Sequence, residues 1–125
     1  MSLPYGQSYP LLGASGTAIT VSTGNGVPAD KQKLSVQFTA SGISSGNGVF
    51  SIQVSNDGVN WITYNRLNDN VTNTNAQFDT RVASCTISTN TSKMYFFPEG
   101  DYFKMVRCLV TVTTDGTYSA TLFVG

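Results

Sequence analysis

The side chains that could do chemistry in this chain are two cysteines, seven carboxylates and a large set of hydroxyls. Nucleophilic catalysis by Ser or Cys needs an adjacent base. Histidine is absent, so neither a Ser-His nor a Cys-His pair can form. Paired carboxylates could hydrolyse glycosides. Here Glu99 is the single Glu, and Asp30, Asp57, Asp69, Asp79, Asp101 and Asp115 fall mostly in turn-like contexts. Turn aspartates usually accept bonds from nearby backbone N–H groups. Cys85 and Cys108 without histidine do not complete a four-ligand zinc site. Asp57 and Asp69 lack the spacing of a calcium loop. Gly-Asn-Gly occurs at Gly24 and at Gly46, but neither copy has the strand-to-helix setting of a phosphate loop. The expectation is a protein with no catalytic residue, no metal and no cofactor.

Composition narrows the partners. Charged residues make up 11% of the chain, against about 25% in an average soluble domain. Seven basic residues balance seven acidic ones, with no run of Lys or Arg. That leaves no electrostatic footprint for nucleic acid or for an anionic membrane. Ser, Thr and Asn together supply 40 residues. A neutral, hydroxyl-rich surface of this kind packs closely against copies of itself or against neutral partners. No apolar run approaches the roughly 20 residues of a membrane-spanning helix. The first residues lack the basic start and apolar core of a signal peptide, so synthesis in a cytoplasm is expected. A reducing compartment favours free thiols at Cys85 and Cys108, although the two could bond if their strands are neighbours.

Apolar residues recur with a period of two. Leu34, Val36, Phe38 and Ala40 alternate with Ser35, Gln37 and Thr39; Phe50, Ile52 and Val54 do the same. This marks strands with one buried and one solvated face. Further strands are predicted over 18–22, 78–88, 93–97, 102–114 and 118–124. Between them, 24–30 and 41–48 read as loops, the latter flexible. The polar stretch 68–77 is the longest candidate for a mobile or partner-contacting segment. Asp115-Gly116 is a strong hairpin signal. Tyr95 and Phe97 fall on one face of their strand and Phe96 on the other. About eight strands without helical periodicity predict an all-β fold, an antiparallel β-sandwich or jelly roll.

Residues 17–125 form the single predicted domain. Residues 1–16 precede it as an extended arm, because Pro4, Gly6, Pro10, Gly13 and Gly16 disfavour a regular element. The arm nevertheless carries Tyr5, Tyr9, Leu11 and Leu12. It either folds back on its own domain or docks on a neighbour, and docking is the favoured expectation.

The hairpin around Ser55-Asn56-Asp57-Gly58 can close in two registers. A two-residue Asp57-Gly58 loop sets Val54 opposite Trp61 and puts the single tryptophan in the core. Ile62 and Tyr64 then lie on the outer face and need a cover. A three-residue loop reverses every side chain, because one residue of slip exchanges the faces. The Asp-Gly pair and the value of burying Trp61 favour the first register. The candidate interface is therefore Tyr5, Tyr9, Leu11, Leu12, Ile62 and Tyr64.

The segment FSIQVSNDGVNW resembles the Ser-x-Asp-Gly-x-x-Trp hairpin of discoidin-like and other carbohydrate-binding β-sandwiches. GNGVFSIQVSNDGVNWITYN, together with DYFKMVRCLVTVTTDGTYSATLFVG, also resembles small β-sandwich structural proteins of bacteriophage virions. That second resemblance covers roughly residues 34–125. It implies a non-enzymatic virion protein, most specifically a capsid decoration or auxiliary protein. Such a protein would form homo-oligomers and contact the major capsid protein or another virion protein. The first resemblance implies the alternative, a module that binds glycans.

Overall fold

The computed structural model describes residues 7–15, 19–22, 27–28, 33–68, 81–98 and 103–124. Every strand pairing is antiparallel, and no helix occurs among the described residues. The strands are β1 (Gln7–Ser15), β2 (Ile19–Ser22), β3 (Val27–Pro28), β4 (Leu34–Ser41), β5 (Asn47–Ser55) and β6 (Ile62–Thr63). They continue with β7 (Leu67–Asn68), β8 (Arg81–Val82), β9 (Cys85–Ile87), β10 (Ser92–Phe96), β11 (Met105–Thr113) and β12 (Thr117–Val124).

Sheet A runs β1-β12-β4-β10-β7-β8. Sheet B runs β2-β11-β5-β6, with β3 also on β11 and β9 also on β5. The chain therefore pairs from its ends inward: β1 with β12, β2 with β11, β4 with β10, and β5 with β6 and β9. A long antiparallel hairpin rolled into two sheets has this order, and it is the jelly roll.

Alternation decides which face meets the core. In β4, Leu34, Val36, Phe38 and Ala40 are buried; in β11, Val106, Cys108, Val110 and Val112 are. Phe38 of sheet A stacks on Phe50 of sheet B with ring centroids 4.6 Å apart. Tyr118 meets the edge of Phe50 at 6.0 Å. Room for Tyr118 comes from Gly48, where an added Cβ would sit 2.5 Å from the tyrosine ring. Cys85 and Cys108 are buried free thiols.

Four expectations change. Residues 7–15 are a regular strand, despite Pro10 and Gly13. β1 lies at an edge of its sheet, where a proline costs no ladder bond on the open side. A register shift between Pro10 and Leu12 absorbs the remaining mismatch, and Leu11 at that bulge is buried in this chain's own core at 4% exposure.

The Asp115-Gly116 turn is not a hairpin. β11 and β12 belong to opposite sheets, so this turn is a corner between them. Positive φ at Thr114 (73°) and Gly116 (112°) swings the chain across.

The stretch 41–48 is tied down, not flexible. The Asp115 carboxylate accepts N–H bonds from Ser44 (3.1 Å), Ser45 (3.3 Å) and Gly46 (2.9 Å). Asn90 Oδ1 accepts the N–H of Ile43 at 2.9 Å. One side chain thus joins both inter-sheet corners at this end of the sandwich. The segment predicted over 78–88 divides, with β8 in sheet A and β9 in sheet B. Most of 68–77 lies outside the described residues.

Asp115→Ala leaves three backbone donors without their acceptor. A loss of about 1–3 kcal/mol is expected in urea unfolding. Asp115→Asn, which keeps one acceptor oxygen, should recover part of it.

Candidate binding face

The hairpin that carries the Ser-x-Asp-Gly-x-x-Trp pattern adopts neither expected register. Val54 pairs with Ile62 and Gln53 with Thr63, and Tyr64 N–H donates to Ile52 O at 2.8 Å. The cause is the turn. Ser55 Oγ accepts the N–H groups of Asp57 and Gly58 at 3.2 and 2.8 Å. Asp57 Oδ1 accepts those of Val59 and Asn60, both at 2.8 Å. Four backbone donors are captured by two side chains, so the loop extends from Asn56 to Trp61. Asn56 Oδ1 fastens it to Lys104 N–H at 3.1 Å. These bonds to its charged form hold the Asp57 carboxyl well below the usual carboxylate range.

The longer turn places Trp61 and Tyr64 opposite to expectation. Trp61 is half-buried on the outer face of sheet B, with the Arg107 guanidinium 4.3 Å from its ring centroid. Arg107 Nε also donates to Gln53 Oε1 at 2.7 Å. Tyr64 is 7% exposed and joins the core, stacked on Phe97 at 5.1 Å and edge-on to Phe103 at 5.7 Å. It faces the core and not the outer face that the expected register gave it. Ile62, opposite Val54 at the start of β6, is 69% exposed, and Val59 in the turn is 77% exposed. Of the remaining candidates, Leu11 is internal, and Tyr9 and Leu12 sit opposite Leu122 and Ala120 in the β1–β12 ladder. Tyr5 lies outside the described residues.

A second face was not anticipated. The outward positions of β10, β4 and β12 align in rows across sheet A. Phe96, Ser35 and Phe123 form one row; Met94, Gln37 and Thr121 form the next. Between them lies an open groove of about 370 Å³, lined by Ser35, Gln37, Met94, Thr121 and Phe123. Phe96 and Phe123 are each 43% exposed. No charged residue occupies an outward position of these three strands, but the first row continues through Asn68 to Arg81, and Lys33 extends the outward phase of β4. Farther along, Thr39 and Ser92 share a hydroxyl bond of 2.9 Å. Phe96 was legible as the odd member of its aromatic run. Phe123 carries the same signal, an aromatic out of phase with Ala120, Leu122 and Val124.

Solved structures share this fold. The chain is similar to the SPBc2 prophage-derived protein YomS, with a TM-score of 0.54 and 16% identity over 100% of this chain and 97% of that one. It is also similar to the PBSX exported protein XepA, with a TM-score of 0.52 and 13% identity. That match covers 96% of this chain and 37% of XepA, so the chain corresponds to little more than a third of that protein. At these identities the likeness establishes the fold alone. No protein-family model matches the chain, and no curated protein matches its sequence.

Among the described residues, no three His, Cys, Asp or Glu side chains gather into a metal site. Burial pushes both thiols up, Cys108 most strongly, so neither is poised as a nucleophile.

Two outcomes are expected from this chemistry. Because the folded pKa of Asp57 lies below its ordinary 3.8, its contribution to stability is complete above that value. It is lost as the pH falls from there through the depressed folded value. The stability advantage of the wild type over Asp57→Asn, from urea unfolding at stepped pH, should therefore shrink below about pH 4. Ellman's reagent should label neither cysteine in the native protein while labelling both in denaturant.

Proposed function

We propose that this chain is a non-enzymatic structural component of a bacteriophage virion, most specifically a capsid decoration or auxiliary protein. The observation that carries the reading is the end-to-end correspondence with a prophage-derived protein, in which each chain covers nearly all of the other. The neutral surface supports it, because a lattice protein must pack closely against copies of itself and against other virion proteins. So does the sequence resemblance over residues 34–125.

In this reading the contact on the virion is the hairpin tip, where Val59 and Ile62 are exposed. The rigid Ser55–Asp57 turn presents them at little entropic cost on docking. Tyr5 and the residues before β1 supply a further contact. The protein is made in the host cytoplasm and resides on the particle as a homo-oligomer.

The test is co-purification. Particles banded from a lysate of cells carrying this gene should contain the protein in fixed ratio to the major capsid protein. The double variant Val59→Asp, Ile62→Asp should fold normally and reduce bound copies by roughly tenfold. Absence of the wild-type protein from intact particles overturns the reading.

A further inference from the structure

We infer that the corner between β11 and β12 is a strained hinge held shut by Asp115, and that its release lets β12 exchange between two copies of this chain. The inference does not rest on the virion reading. The corner and the hairpin tip lie at opposite ends of β5, which meets Thr113 through Asn47 and leads into the tip from Ser55.

Thr114 has a φ of 73°, and it is the one non-glycine residue with positive φ among the described residues. Asp115 N–H donates to Thr113 O at 3.0 Å, which closes a three-residue turn centred on Thr114. A γ-turn of positive φ is the rare, strained form. The strain is greater for a β-branched residue, whose preferred region is extended. Such a conformation persists where its surroundings over-determine it. Here the Asp115 carboxylate accepts the N–H groups of Ser44, Ser45 and Gly46. The Tyr118 hydroxyl donates to Asp115 O at 2.9 Å. The turn also packs backbone to backbone on Gly46, where an added Cβ would collide with Thr113 O and Asp115 N.

The strand beyond the corner has its partners elsewhere. β12 pairs with β1 and β4 along its whole length, and Tyr118, Ala120 and Leu122 are buried in the core. It has no ladder with β11, so the corner alone assigns it to its own sandwich. Sheet A of a second copy would offer β12 the same ladders and the same core. Those contributions therefore cancel between the closed monomer and an exchanged dimer, and the corner decides the balance. In the exchanged form the chain runs straight on from β11, and Thr114 returns to the extended region. That relieves the strain but gives up the three bonds to Asp115. The strain favours opening and the carboxylate favours closure. A short hinge under strain is the feature that promotes strand exchange between copies.

The test is mixed refolding. Thr39 of β4 and Ser119 of β12 are register partners at half-buried outward positions. Thr39→Cys and Ser119→Cys are made in separate full-length chains, which are mixed, unfolded in urea, refolded together and then oxidised. A disulfide between the two chains can form where β12 of one lies beside β4 of the other. The native thiols are buried and do not compete once the chains have folded. The linked pair is expected, in a yield that rises with protein concentration during refolding. Adding Asp115→Ala to both chains should raise the yield roughly tenfold, and adding Thr114→Gly should lower it by a similar factor. Glycine takes up positive φ without strain, so the Thr114→Gly chains are expected to fold. Their comparison with the parent pair decides the question even where Asp115→Ala prevents folding. Absence of a linked pair at every concentration overturns the inference. So does a yield that ignores Thr114→Gly, or a dimer seen by light scattering that never acquires the link. Absence of the protein from particles leaves this inference intact, and failure to exchange leaves the virion reading intact.

Discussion

Ring stacking between Phe38 and Phe50 joins the two sheets at the centre of the molecule, and the rest of the sandwich is arranged around that contact. Each ring projects from a strand whose alternate residues are buried, so the stack sets which face of β4 and of β5 looks inward. Tyr95 and Tyr118 complete the cluster from neighbouring strands of sheet A. Gly48 is part of the same constraint, because the Tyr118 ring occupies the volume a side chain there would need.

Among the described residues, loops are held by side chains more than by loop-to-loop backbone bonds. Asp115, Asn90, Asn56, Ser55 and Asp57 each accept from backbone N–H groups outside the sheets. Such bonds satisfy donors that turns expose, and they use the short polar residues in which the chain is rich. The abundance of Ser, Asn and Asp thus has a structural use as well as a surface one. With its corners and its hairpin tip fixed, the sandwich presents two faces of distinct character. One is a small apolar tip at Val59 and Ile62; the other is the open sheet A groove lined by Ser35, Gln37, Met94, Thr121 and Phe123.

Both faces depend on residues that break a pattern. Phe96 and Phe123 are aromatics on solvated faces of their strands. Ile62 shares the phase of the buried Tyr64 yet is 69% exposed. The tip became readable only once the turn was known to span Asn56 to Trp61, and the groove only once β10, β4 and β12 were known to be neighbours.

By itself, the sequence determined the all-β class, the main strands and the inward faces of β4 and β5. Period-two alternation is local, and burial follows from it whatever the partner strand. It also disclosed the odd phase of Phe96. The tertiary structure decided the hairpin register, which exchanged Trp61 and Tyr64, because hydrogen bonds from Ser55 and Asp57 lengthened the turn. It decided that Asp115-Gly116 is a corner, since β12 takes its partners from β1 and β4 and not from β11. It decided that residues 7–15 form an edge strand, where a proline and a bulge are tolerated. Each of these rests on contacts between residues far apart in the chain, and no local pattern specifies which distant strand will satisfy a given row of backbone donors.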